Sequence, residues 1–420
     1  MGIPAVRRPG MKIALVAQHA TSMSGDPVSA ETVSGSASCG TAGSATDSRL
    51  RELSRSLASN GHRVTVYAQR HSATLPDRAE VSPGVTVEYM GAAADKLGES
   101  DLLAQVPAFS QPLHERWRGE RPDVVHALRW TSGLASLAAA RNLRIPVVQS
   151  FDSLSVAERR HRVASGDAGP ERMRLEPAIG RSANAVVAGS SDEENDLTRL
   201  GVPRRSIRIV PWGVDTEEFT PEGPVADRGA RPRLVTIADL HDHDALDSLL
   251  RAMAKVPGAE LVVAGGPPRE RLRDDLGFRR LAKLSDTLGV GGQVRFVGHV
   301  GRDALPPLLR SADLMVSVSD YDPSGQTALQ AMACGTPVIA SAVGSYVDAV
   351  VDGTTGILVP PGRPALLAQR IRQLLAHPMM LEAFSVAAAD RAKSRYSWDR
   401  IAHETLAVYG TAVDAAAMAA

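Results

Sequence analysis

Short runs of consecutive apolar residues recur along the chain, separated by longer stretches whose apolar positions fall three and four apart. The first run is KIALVAQ at 12–18, followed by runs at 63–69, 85–90, 123–127, 145–151 and 184–189. Residues that are apolar at successive rather than alternate positions predict strands covered on both faces of a parallel sheet. Between them lie amphipathic stretches such as 49–60, which stops at Gly61, a residue suited to a helix C-terminus. Strand and helix in alternation predict an α/β, doubly wound (Rossmann-like) domain.

The pattern breaks at 211–232, where Pro, Gly and charged residues give linker composition. A second alternation follows, with apolar runs at 233–238, 259–266, 293–298, 313–319, 337–341 and 356–360 and helical stretches at 245–255 and 327–333. The expected organisation is a first domain at 1–210, a linker at 211–232 and a second Rossmann-like domain at 233–395. A closing helix and tail at 396–420 are expected to cross back to the first domain. Two such domains facing across a cleft would bind ligands outside the carboxyl ends of their strands. Residues 21–48 have no periodicity and are rich in Ser, Gly, Ala and Thr, the composition of either a lid or a disordered segment.

Composition narrows the function classes. With 47 basic and 47 acidic residues in 420, formal charge is zero, which argues against nucleic acid or an anionic membrane as partner. No apolar run approaches the roughly 18 residues of a spanning helix. The N-terminus lacks the apolar core of a signal peptide, and Val6 stands where a myristoylation site needs Ser or Thr. Cys39 and Cys334 match no metal or disulfide pattern. The expected location is the cytoplasm.

Candidate chemistry concentrates in DYDPSGQTALQAMACGTPVIAS at 320–341. A buried strand leads into a Pro-Ser-Gly turn and a helix that opens near Gln326. Such a helix start offers backbone N–H groups and a positive dipole end to an anion. Gly325 would let backbone approach a phosphate closely, and the expected anion site spans Ser324, Gly325, Gln326 and Thr327. Asp322 and Gln330, eight positions apart, can flank that start and address one ligand.

This segment resembles the signature of retaining glycosyltransferases of the GT-B fold, the group containing sucrose synthases and bacterial mannosyl- and N-acetylglucosaminyl-transferases. Their E-P-F-G-x-x-x-x-E-A-M-A-C-G-x-P-V is matched here by D-P-S-G-Q-T-A-L-Q-A-M-A-C-G-T-P-V. VPWGVDTEEF at 210–219 is similar to the family's interdomain V-P-N-G-V-D-x-x-x-F, and AELVVAGGPP, RSADLMVSVS, DGTTGILVPP and YSWDRIA fall in family order. The resemblance implies transfer of a sugar from a nucleoside-diphosphate sugar to a small-molecule or glycan acceptor, with retention and without an obligatory metal or other cofactor. It also implies that Asp322 contacts the sugar catalytically and that Gln330 contacts the nucleotide ribose.

The departures from that family fall on its chemistry. Its basic pair in G-R-L-x-x-x-K-G aligns with Asp239 and Asp244, so these donor-binding positions carry carboxylates. A like charge about 4 Å from a phosphate costs about 4 kcal/mol at an effective dielectric of 20. Gln330 stands for Glu and keeps only a neutral hydrogen bond. In the first domain, the family's H-A-H becomes His126-Ala127-Leu128, leaving His126 as the catalytic candidate there, and Asp152 stands where many members have His. The family's paired glycines align with Ser44 and Ala45, so Gly43 beside them is the candidate of the phosphate loop. Arg129, Arg159 and Arg160 are cations the first domain could bring to a diphosphate. His241 to Asp244 has metal-ligand residue types but lacks a further cluster at ligand spacing. Two readings result: a transferase that holds the diphosphate with other groups, or a non-catalytic relative acting as partner of an active glycosyltransferase. A nucleotide-sugar epimerase on the same architecture has no motif support.

Overall fold

Successive side chains of a strand point to opposite faces, so a run apolar at every position needs cover on both sides. Each apolar run named above is a strand in the computed structural model, which describes residues 10–18, 42–91, 102–161 and 169–418. The chain divides into two units. Unit 1 contains β1 (Lys12–Val16), α1 (Ala42–Ser59), β2 (Arg63–Gln69), β3 (Arg78–Ser82), β4 (Val85–Met90), α2 (Leu102–Gly119) and β5 (Val124–Leu128). It continues through α3 (Trp130–Ala140), β6 (Val147–Ser150), α4 (Ser155–Arg160), α5 (Pro170–Ser182), β7 (Ala185–Ala188), α6 (Ser191–Arg199) and β8 (Ile207–Ile209).

Unit 2, Trp212–Ser397, contains β9 (Arg233–Ile237), α7 (His243–Met253), β10 (Glu260–Ala264), α8 (Leu276–Thr287), β11 (Val294–Gly298), α9 (Leu305–Arg310) and β12 (Leu314–Ser317). It ends with α10 (Gln326–Ala333), β13 (Val338–Ser341), α11 (Tyr346–Ala349), β14 (Gly356–Val359), α12 (Pro364–Leu375) and α13 (Pro378–Tyr396). The last helix, α14 (Trp398–Met418), returns to unit 1.

Strand order in unit 1 is β3-β4-β2-β1-β5-β6-β7-β8, parallel except for β3, which runs antiparallel to β4. In unit 2 the order β11-β10-β9-β12-β13-β14 is parallel throughout. Each sheet grows in both directions from its first strand, and the order reverses between β1 and β5 and between β9 and β12. At such a reversal the connections leave for opposite faces and open a crevice at the carboxyl ends of the strands.

Alternation along the strands supplies two apolar layers per sheet. In unit 2, Leu234 and Ile339 pack with Leu246, Leu249, Leu281 and Ile371, whereas Val235 and Val338 pack with Leu329, Met332, Ala388 and Tyr396. In unit 1, Leu15 and Val66 pack with Leu50, Leu57 and Tyr409, and Val16 and Val125 with Phe109, Leu113 and Trp117.

The structure departs from these expectations in two respects. The edge strands β3 and β8 were not expected, because their residues are largely polar or solvent-facing. Helix α1 begins at Ala42, so Gly43 has helical backbone and does not sit in an open loop. The remainder of the aperiodic segment lies outside the described residues.

Candidate functional site

In unit 2, the residues that follow β9 and β12 border the point where strand order reverses. After β12 the chain turns through Asp320-Tyr321-Asp322-Pro323-Ser324-Gly325 and starts α10 at Gln326. The turn closes because Gly325 adopts φ 64°, in the left-handed region open to glycine. Asp322 shapes it from within. Its Oδ1 accepts hydrogen bonds from Ser324 N (2.8 Å), Ser324 Oγ (3.0 Å) and Gly325 N (2.7 Å), and its Oδ2 accepts from the Tyr346 hydroxyl (2.7 Å). Oδ1 thus takes three donors from the turn itself and Oδ2 one from Tyr346. The carboxylate expected to contact a sugar therefore serves its own loop in this structure.

The same bonds revise the expected anion site. Ser324 and Gly325 give their N–H groups to Asp322, and Gln326 gives its own to Ser324 Oγ (3.2 Å). The amide of Gln326 donates to the Gly213 carbonyl (3.3 Å), which ties the helix start to the entry of unit 2. Thr327 lies one residue further on and its hydroxyl meets Ser317 Oγ (3.2 Å). Gln330 is half-buried on the same helix. Asp322 to Gln330 thus form one turn and helix start, in which Asp322 takes two of the N–H groups and Ser324 Oγ a third.

Opposite this loop, Asp239 and Asp244 are where the alignment placed them, after β9 and in the first turn of α7. Asp239 Oδ1 accepts from His241 N (2.9 Å) and lies 3.1 Å from His241 Nδ1. Asp244 is exposed. Between them Asp242 caps α7, accepting from Ala245 N (3.4 Å). Burial raises the Asp242 carboxyl to about 6, and the charges of Asp320, Asp239 and Asp244 push the same way. This side of the reversal is acidic. Among the described residues, no group of three or more His, Cys, Asp or Glu side chains is placed to hold a metal ion.

In unit 1, His126 is corrected. It lies in β5, 1% exposed, with Nδ1 2.7 Å from the Tyr409 hydroxyl and Nε2 2.8 Å from Ser150 Oγ. Burial, then the nearby Arg49 charge, drives its pKa down to about 3. It is a neutral core histidine, sealed from any ligand. Arg160 is paired with Asp196 and Arg159 reaches Met173 Sδ (3.1 Å). Gly43 sits in the first turn of α1, and the residues immediately before that helix lie outside the described ones.

Two side chains at the carboxyl ends of adjacent strands were not anticipated by their geometry. Arg129, directly after β5, has φ 73° and ψ 160°, a conformation otherwise left to glycine. Three hydrogen bonds hold it there: Arg129 N to Ser150 O (2.8 Å), Gln149 Nε2 to Arg129 O (3.1 Å) and Gly133 N to Arg129 O (3.1 Å). The residue is half-buried, and its guanidinium has no ion pair among the described residues. Asp152, after β6, has φ 63° and accepts from the buried Arg49 (2.9 Å). An arginine at a glycine-like φ has no sequence signature.

Comparison with known proteins follows the same outline. The family described as Glycosyltransferase Family 4 matches residues 47–218, and Glycosyl transferases group 1 matches residues 224–391. A D-inositol 3-phosphate glycosyltransferase of Streptomyces bingchenggensis is 33% identical over 387 residues, 86% of this chain and 83% of that one. Its counterpart from Kribbella flavida is 31% identical over 432 residues, 98% of each chain. Among solved structures, sucrose-phosphate synthase from Thermosynechococcus elongatus superposes with a TM-score of 0.78 at 27% identity, covering 96% of this chain and 100% of that one. Anabaena HepE, solved with UDP and glucose, gives 0.67 at 18% identity over 95% and 99%, a likeness of fold.

Proposed function

The chain belongs to the GT-B glycosyltransferase family, and from that membership we propose that it transfers a sugar from a nucleoside-diphosphate sugar to a hydroxyl of a small acceptor, retaining anomeric configuration. The observation that carries this reading is the identity of 33% spread over 86% of the chain, spanning both units. The donor belongs to unit 2, at the reversal between β9 and β12, with the α10 start, Thr327 and Gln330 as its contacts. Asp322 acts by shaping that start. The leaving diphosphate gains charge as the glycosidic bond breaks, so fixed positive charge and N–H groups aimed at it give the largest stabilisation. The acceptor belongs to unit 1. Relatives are named for D-inositol 3-phosphate, and Arg129 is the cation we assign to an acidic group of that kind.

The testing experiment is a thermal-shift panel with UDP, GDP, ADP and dTDP and their sugar conjugates, with and without Mg²⁺. A ligand at about 100 times its Kd adds about 2.7 kcal/mol, enough to move Tm by a few degrees. A shift with one base identifies the donor. Product NMR with D-inositol 3-phosphate and with unphosphorylated polyols then reports the acceptor and the anomer.

A second reading is favoured by one specific observation, the carboxylates of Asp239, Asp242 and Asp244 where a diphosphate calls for cations. It is a non-transferring member that serves a partner glycosyltransferase. Absence of any shift at millimolar nucleotide supports it and removes the first reading.

A further inference from the structure

Gln149 is wholly buried in β6, and the two ends of its amide meet different surroundings. Nε2 donates to the Arg129 carbonyl (3.1 Å) and to the Ser150 carbonyl, whereas Oε1 is shut off from solvent without a partner. That oxygen lies over Gly133 of α3, where a Cβ would stand 2.0 Å from it. Gly133 therefore leaves room for the amide that holds Arg129. Two unfavourable features meet here. Arg129 keeps φ 73° and ψ 160°, a region nearly exclusive to glycine, and a buried carbonyl oxygen stays without a donor. Glycine at 129 and an apolar residue at 149 would remove both. Strain of this kind persists where surrounding contacts over-determine it, and it concentrates at ligand sites. What it delivers here is a cation. The Arg129 guanidinium follows β5 directly, at the reversal between β1 and β5. It makes no hydrogen bond or ion pair among the described residues and keeps its nitrogens open to solvent.

We propose that Gln149 is a positioning residue for Arg129, holding it in the strained backbone conformation that presents its guanidinium to a phosphate monoester at the carboxyl end of β5. This rests on the reading of unit 1 as the domain for an acceptor with an acidic group, and it names that group. A guanidinium offers two parallel N–H donors in a rigid fork, and a phosphate sets two oxygens against them. A phosphate monoester also carries nearly two negative charges near neutral pH, against one for a carboxylate. An uncharged polyol has neither the paired oxygens nor the charge, so Arg129 discriminates against it.

The test is a thermal-shift titration of the full-length protein with glycerol 3-phosphate and with glycerol, at fixed ionic strength. The wild type should respond to the phosphate alone. Gln149→Leu is expected to weaken glycerol 3-phosphate about fivefold, the loss of one neutral hydrogen bond, with Arg129 itself in place. Arg129→Ala should abolish the response, and adding Gln149→Leu to it should change nothing further. Arg129→Gly should abolish it too, yet melt above Arg129→Ala, because glycine alone is at ease at φ 73°. Should Gln149→Leu fail to fold, Gly133→Ala displaces the same amide from α3 and carries the same expectation. An undiminished response in Arg129→Ala, an unchanged affinity in Gln149→Leu, or an Arg129→Gly variant that melts below Arg129→Ala would each overturn the positioning role. A wild type that ignores the phosphate, or answers glycerol equally, overturns the acidic-acceptor reading and this proposal with it, a result distinct from the other three.

Discussion

His126 and Tyr409 are hydrogen-bonded at 2.7 Å across 283 positions of sequence, joining β5 to the last helix. The ring stays neutral because burial holds its pKa near 3, far below the ordinary 6.5. Above pH 6.5 neither folded nor unfolded chain binds this proton, so the group adds no pH dependence there. Below 6.5 the unfolded chain takes up a proton that the folded one refuses, and stability falls by about 1.4 kcal/mol per pH unit until the folded pKa is reached. Denaturant titrations at pH 7.5 and 5.0 should therefore show a smaller acid loss in His126→Gln than in the wild type, by about 2 kcal/mol. Equal losses in the two proteins would contradict the assignment.

Asp242 works in the opposite sense. Its carboxyl is raised to about 6 from an ordinary 3.8, so the penalty for ionising it in the folded state grows from about pH 4 to 6 and persists above. Asparagine caps a helix as well as aspartate does. Asp242→Asn should stabilise the protein at pH 8 by about 1–2 kcal/mol, discounted for partial exposure, and have little effect at pH 4. Melting curves of both proteins at the two pH values decide it.

Gly344 has φ 52°, and a Cβ there would stand 2.2 Å from the Asp322 carbonyl oxygen. Because that neighbour is backbone, the Asp322 loop must move. Gly344→Ala should cost at least about 2 kcal/mol and abolish donor binding. A variant with wild-type Tm and wild-type affinity would show that the loop is pliable.

Asp239→Arg with Asp244→Lys exchanges two carboxylates beside the unit 2 reversal for two cations. Nucleoside diphosphate affinity should rise at least about tenfold, as repulsion gives way to charge-assisted hydrogen bonds. Titration calorimetry with free diphosphates measures it directly. A fall in affinity would mean that these carboxylates have acquired a binding role of their own.

The fold was legible because parallel strands covered on both faces show as unbroken apolar runs: β9 and β12 need nothing more than their own sequence. Strands β3 and β8 escaped because RAEVS and IRI lie at the sheet edges and carry polar or exposed residues. At the site, the strand, turn and helix from Leu314 to Ala333 could be read from the apolar run and the Pro-Ser-Gly turn. What could not be read was how the turn spends its donors. Whether Ser324 N faces a ligand or Asp322 depends on the torsions of three residues, and Tyr346 enters from the far end of another strand. His126 shows the converse. Its place in a motif suggested chemistry, but the groups that occupy both its nitrogens come from β6 and α14.

The return of α14 to unit 1 sets an order of assembly on the ribosome. Trp212–Ser397 emerges whole, with every strand of its sheet, while unit 1 still lacks the helix that covers Leu50, Leu57 and Val66. Until Ile401, Tyr409 and Ala412 are synthesised, that apolar face stays bare and the His126 ring lacks its phenol. The domain translated first is thus the last to close, and a nascent chain halted just after Ser397 presents one domain with all its strands and one that can only wait.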